Sequence, residues 1–209
     1  MMRIESIAAL EGRADRFAVL FEGGAKMVVS VTQIADFGLY SGREFSEEEY
    51  SALREAVERG SSRARAIRIL GSRNLSKSEM ERRLMSRGEA RETARSTTSW
   101  LEDIGAINDG EYAETIVRHY SAKGYGISRI RHELHRRGIP REMWDEALTR
   151  LGSMDDAAYD FIVSKLRGSR DKTELRRATD ALCRRGFSYE EARAAVSRYI
   201  ENVDENEGS

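Results

Sequence analysis

Three times along the chain an apolar residue recurs four positions later and is followed by a basic residue and a glycine. The segments are Met80–Gly88, Ile130–Gly138 and Ala178–Gly186, and their closing glycines stand 50 and 48 residues apart. Met80/Leu84, Ile130/Leu134 and Ala178/Leu182 are i, i+4 pairs, so each pair shares one face of a helix. The basic residue falls in the last turn, where a cation meets the negative end of the helix dipole. The glycine can take the left-handed conformation that commonly stops a helix. A new helix starts at once: Pro140 suits a first helical position, and Ser188-Tyr189-Glu190-Glu191 reads as a capping box. Repetition at a near-constant period predicts three copies of one helical unit.

Spacings of three and four place the remaining helices. In the first repeat a helix is expected from about 62 to 73. The capping box Ser76-Lys77-Ser78-Glu79 opens a second, and a third over about 91–104 carries Ala94, Thr97, Trp100, Leu101 and Ile104 on one face. The second repeat begins at Asn108 or Asp109, with a stripe of Tyr112, Ala113, Ile116, Val117 and Tyr120. After the turn Lys123-Gly124-Tyr125-Gly126 come helices over 127–137 and 140–151. The third repeat has helices over about 155–167, 172–185 and 188–203.

The first thirty residues read differently. Short apolar runs at Ile4–Ile7, Phe17–Phe21 and Lys26–Ser30, separated by glycine-containing turns, predict a small antiparallel meander. Thr32 reads as the cap of a short helix. Ser46-Glu47-Glu48-Glu49 opens a helix to Arg59, which Gly60-Ser61-Ser62 is expected to break. The predicted fold is mainly α: three tandem three-helix repeats in an elongated array, with a small N-terminal β-rich head. The expected boundaries are 1–60 for the head and its helix, 61–107, 108–152 and 153–203 for the repeats, and 204–209 for a disordered acidic tail. Units this small bury little alone, so stacking on neighbours is expected.

A 34% charged and 40% hydrophobic chain with a single proline suits a soluble helical protein. No apolar run approaches a membrane span, and the N-terminus lacks the apolar core of a secretion signal. Cys183 is alone and pairs with no other cysteine of the chain, so a reducing cytoplasm is the expected location. The charge is uneven. Residues 1–59 carry 7 Lys/Arg against 11 Asp/Glu, residues 60–151 carry 18 against 13, and residues 152–209 carry 10 against 12. The basic middle is where an acidic partner is expected. Arg13 and Arg16, in the acidic head, are read as lying outside that surface.

No catalytic constellation is present, and no enzyme activity is expected. His132 and His135 are i, i+3, but no cysteine or adjacent carboxylate completes a zinc set, so no metal or cofactor is assigned. Cys183 reads as a small core residue. The helix over 127–137 is the candidate surface. Ile127, Ile130 and Leu134 form its buried stripe, Arg129, His132 and Arg136 point the other way, and Arg131 and Arg137 lie on the flanks. Arg118, Lys123 and Tyr125 come from the preceding element, and Arg82, Arg83 and Arg87 occupy the equivalent stretch of the first repeat. A basic helix after a glycine turn is a common way to meet a phosphate backbone. The alternative is a solvated face around a small core. Tyr120 and Tyr125 are candidates for stacking on bases, Tyr120 also for packing in the core.

These same residues resemble a known family. Ser76–Met80 through Leu84 and Arg87-Gly88, Gly105-Ala106-Ile107-Asn108-Asp109 with Tyr112-Ala113, Lys123–Gly126 with Arg129–Leu134, and Arg184–Glu191 are similar in order and spacing to the repeats of the bacterial regulatory protein RecX family. The head resembles the N-terminal extension of some members. Ile127 stands where proline is frequent in the family, and the start of the third repeat's second helix matches loosely. The resemblance implies a non-enzymatic regulator. Such a protein binds the RecA recombinase and its filament on single-stranded DNA, inhibits recombinase, ATPase and coprotease activities, and so modulates DNA repair and the SOS response. Apart from the resemblance, a monomer with at most weak affinity for duplex DNA and no membrane partner is expected. The alternative reading is a general DNA-binding protein that uses helix-turn-helix-like repeats on duplex or single strands.

Overall fold

The structure is a computed structural model; it describes residues 1–149, 151 and 154–207, with side chains described to residue 203 apart from Ala14. Its residues fall into two units, Met1–Arg73 with Glu81–Trp100, and Asn74–Met80 with Leu101–Ser209.

The first unit starts with the expected meander. Strands β1 (Met2–Leu10), β2 (Arg13–Phe21) and β3 (Lys26–Ser30) pair antiparallel, and the short β4 (Glu44–Phe45) joins the far side of β1, giving the order β3-β2-β1-β4. Helix α1 (Val31–Asp36) is capped by Ser30 rather than Thr32, through a full capping box with Gln33. Helix α2 spans Glu47–Leu70, with the predicted cap at Ser46. Ile4, Val19, Phe21, Val29, Phe45 and Leu53 form the core, each at most 1% exposed. Burying a side chain of this size contributes about 1.5–3 kcal/mol, so this cluster holds the sheet on α2.

The expected break at Gly60-Ser61-Ser62 does not occur, and α2 runs through it. These residues serve packing instead. The Gln33 side chain donates to the Ala56 carbonyl at 2.8 Å, and a Cβ on Gly60 would meet its Nε2 at 3.1 Å. Ser62 is buried, hydrogen-bonded to Thr97 at 2.7 Å and to Glu89. Glu89 also pairs with Arg65, which ties α2 to the turn after the next helix.

That helix is α3 (Lys77–Met85), followed by α4 (Arg91–Asp103). Then come α5 (Asp109–Ala122), α6 (Ile127–Arg137), a 3-10 turn at Arg141–Met143 leading into α7 (Trp144–Thr149), α8 (Asp155–Leu166), α9 (Lys172–Arg184) and α10 (Tyr189–Glu207). Pro140 precedes the 3-10 turn in extended backbone, so the third helix of the second repeat is shorter than predicted. Ile127 does start its helix. Helix α10 continues past Val203 into the segment read as a tail. The boundary at residues 152 and 153, Arg150, and the last two residues of that tail lie outside the described residues.

In the second unit two clusters of buried side chains stand out among the described residues. Ala113, Ile116, Val117, Ile130 and Leu134 form one; Ala158, Ile162, Ala178, Leu182, Ala192 and Tyr199 form the other. The predicted closing glycines all have positive φ: 88° at Gly88, 72° at Gly138 and 95° at Gly186. The amide N–H groups of Gly126 and Ser128 donate to the carbonyls of Arg185 and Gly186 at 3.0 and 3.1 Å. The unpaired donors at the start of α6 are thus satisfied by the turn that closes α9. The approach is close: a Cβ on Gly186 would lie 2.5 Å from the Arg129 nitrogen.

Candidate partner-binding surface

Helix α6 buries Ile130 and Leu134 completely, as its pattern predicts. It also buries Glu133, whose side chain is only 3% exposed. This carboxylate stands between the two arginines read as facing solvent. Arg136 donates to it through Nε at 2.9 Å and Nη2 at 2.7 Å, and Arg129 approaches its other oxygen at 3.3 Å. Burial raises the pKa of Glu133, but hydrogen bonds from Arg136 and Tyr120 and the charges of Arg136 and Arg129 outweigh it, leaving the carboxyl below its ordinary range. The Arg136 guanidinium is pushed up, first by its hydrogen bond to Glu133. Arg129 and Arg136 are therefore anchored side chains whose outer edges, 45% and 58% exposed, still face solvent. The sequence reading missed this triad; the i, i+4 and i, i+3 spacings of Glu133 to the two arginines are the signal that could have found it.

Arg137 is not a flank of the basic face. Its guanidinium hydrogen-bonds the Tyr112 hydroxyl, lies 5.5 Å from that ring's centre, and comes within 3.9 Å of Glu79. Its carbonyl accepts the Ser76 hydroxyl. Asp109 accepts the Lys77 amide at 2.9 Å, so this end of α6 and the start of α5 together hold the first turn of α3. Asp109 is buried, and burial pushes its carboxyl above the usual range against the opposing Lys77 hydrogen bond. Arg137 is fixed here by the need to close this junction.

Tyr125 is also engaged. Arg185 lies 4.9 Å from its ring centre, Arg129 lies at 6.0 Å, and the Tyr120 ring is at 5.6 Å. Arg185 donates in turn to the carbonyls of Lys123 and Gly124 at 2.7 and 3.1 Å and covers Phe161. Tyr120 packs on the second repeat's core. Both tyrosines thus have intramolecular partners, and both are half-buried. Arg185, whose contacts to Lys123, Gly124 and Tyr125 lie some sixty positions away, was not legible as part of this site.

The remaining candidates are solvent-facing. Arg118, Lys123, Arg131 and His132 are exposed on α5, its C-cap and α6; Arg131 has only a 3.9 Å approach to the exposed Asp145. In the first unit Arg82 and Arg87 are exposed and Arg83 is half-buried. Among the described residues no group of three or more His, Cys, Asp and Glu is placed to hold a metal ion, and no helix is long and apolar enough to cross a membrane.

Comparison with known proteins gives a consistent result. A family model described as the second three-helix domain of RecX matches residues 108–148. The regulatory protein RecX of Xanthomonas axonopodis pv. citri is 33% identical over 141 residues, covering 66% of this chain and 87% of that protein. The regulatory protein RecX of Chromohalobacter salexigens is 34% identical over 142 residues, covering 66% and 92%. A crystal structure of a regulatory protein RecX superposes with a TM-score of 0.74 at 21% identity, covering 91% of this chain and 97% of that one. RecX from Lactobacillus salivarius gives 0.61 at 20% identity, over 71% and 98%. At that identity the two structures speak to the fold alone.

Proposed function

The chain belongs to the RecX family of regulatory proteins, and on that premise we propose that it is a non-enzymatic, cytoplasmic regulator of the RecA recombinase filament on single-stranded DNA. In this reading it binds the filament, lowers its recombinase, ATPase and coprotease activities, and so modulates repair and the SOS response. The observation that carries the reading is the set of exposed cations on α5 and α6: Arg118, Lys123, Arg131 and His132, beside the outer edges of Arg129 and Arg136. Buried Glu133 fixes the last two before any partner arrives. Side chains already ordered lose less entropy on binding, so two of the guanidinium forks are presented at reduced cost. Each exposed cation contributes little alone, and a regularly repeating, phosphate-rich filament lets several act together.

The test compares binding of the purified protein to a labelled single strand with and without recombinase. Retention at moderate salt only when recombinase coats the strand supports the regulator. Equal affinity for bare DNA would replace it with a general DNA-binding protein.

A further inference from the structure

The head is acidic as a whole, yet it holds a basic groove. Arg13, Asp15 and Arg16 from β2, Val28 from β3, and Arg65 and Arg68 from α2 line an open groove of about 520 Å³ within the first unit. Arg16 is paired with Asp15 at 3.6 Å, and Arg65 with the largely buried Glu89. No ion pair engages Arg13 or Arg68 among the described residues, and both are exposed. Arg13 and Arg16 therefore do not belong to a passive acidic surface, as the charge distribution alone implies.

The geometry points to a second nucleic-acid-binding surface here, one that takes the sugar-phosphate backbone of a single strand. Arginines stand on both walls, and a guanidinium offers a planar donor fork that matches a phosphate and stays charged at any physiological pH. Two of the four are held in place by carboxylates. The other two bring uncompensated charge, which is what releases counterions from a phosphate chain. The lining has no aromatic ring on which a base would stack, so the groove reads backbone and not sequence. An acidic peptide would need apolar anchors as well as charge to seat in a groove, and Val28, 37% exposed, is the sole large apolar side chain on the lining.

The test uses the full chain, without recombinase, and fluorescein-labelled oligothymidylate. The variant R13Q/R68Q removes both uncompensated charges and leaves the paired arginines intact. Two lost phosphate contacts should make the slope of log affinity against log salt shallower by about 1.4, and weaken binding about 25-fold at 0.1 M salt. A slope and affinity equal to the parent's would overturn the proposal. So would loss of polyglutamate binding with oligothymidylate binding retained, which would make this a surface for acidic protein. The parent itself supplies an independent check. Arginine-selective modification read by mass spectrometry should find Arg13 and Arg68 protected by the oligonucleotide, and equal labelling with and without it would refute the site. Because recombinase is absent throughout, failure here leaves the regulatory reading standing.

Discussion

Replacing both Arg129 and Arg136 with glutamate is the natural first test of a basic helix face, and the structure predicts that it damages the fold. The two arginines point away from Ile130 and Leu134, so from the sequence alone the exchange reads as harmless. But Glu133 is 3% exposed, and its carboxylate is held by these same two side chains. Removing one partner of a fully buried pair typically costs about 3–5 kcal/mol, because the remaining charge is left uncompensated; solvent reaches both arginines here, so the loss for the Glu133 carboxylate is smaller, about 2–3 kcal/mol. Here both partners change sign, so three carboxylates meet where one was neutralised. For a chain of this size each kcal/mol lowers the melting temperature by about 2–4 °C, so R129E/R136E should melt roughly 4–12 °C below the parent. Thermal and urea unfolding followed by far-ultraviolet dichroism measure this. Adding Glu133→Gln to the double variant should recover part of the loss, since it removes the uncompensated buried charge, and a double-mutant cycle isolates the coupling. A double variant that melts within a degree or two of the parent would refute the anchoring role of Glu133.

Other consequences are local. Leu134→Ala should destabilise the second unit by about 2–5 kcal/mol, as truncation of a fully buried leucine; a loss under about 0.5 kcal/mol would mean the face is misassigned. Gly186→Ala has to accommodate both a φ of 95° and the Arg129 backbone. It should cost at least about 1–3 kcal/mol in urea unfolding, and a neutral result would contradict the close approach. Asp109 has a folded-state pKa raised above its ordinary value by burial. The folded state therefore holds this proton more tightly than the unfolded chain, and the stability Asp109 contributes falls as pH rises from the unfolded pKa through the folded one. Asp109→Asn keeps an acceptor for the Lys77 amide and removes the buried charge. It should be at least as stable as the parent at neutral pH, with its relative advantage disappearing in acid; an advantage that grows in acid would reverse the sign.

What the sequence made legible was local. The capping boxes at Ser46, Ser76 and Ser188 lie within four residues, and the closing glycines sit against their own helices, so pattern alone placed them. Gly60 was misread because its reason is a glutamine side chain from α1, 27 positions earlier. Arg137 reads as a flank of the basic face because the groups that hold it, Tyr112 and Glu79, come from other elements, and nothing along the sequence ties Arg185 to Tyr125 and the Gly124 carbonyl. The head groove joins Arg13 to Arg68 across some fifty residues, and a net charge summed along the chain hides it. Charge counted along a sequence does not tell which arginines are already paired.

The central claim is regulation of a recombinase filament through the cations of α5 and α6 that remain free of structural duty. The most direct measurement titrates the parent and R118E/R131E into the RecA ATPase assay on single-stranded DNA at moderate salt. Arg118 is exposed and Arg131 has only a distant approach to Asp145, so the variant should melt within a few degrees of the parent. The parent should suppress ATP hydrolysis, and the variant should lose most of that effect. A parent that leaves ATP hydrolysis unchanged, or a folded variant that inhibits as strongly as the parent, would contradict the account.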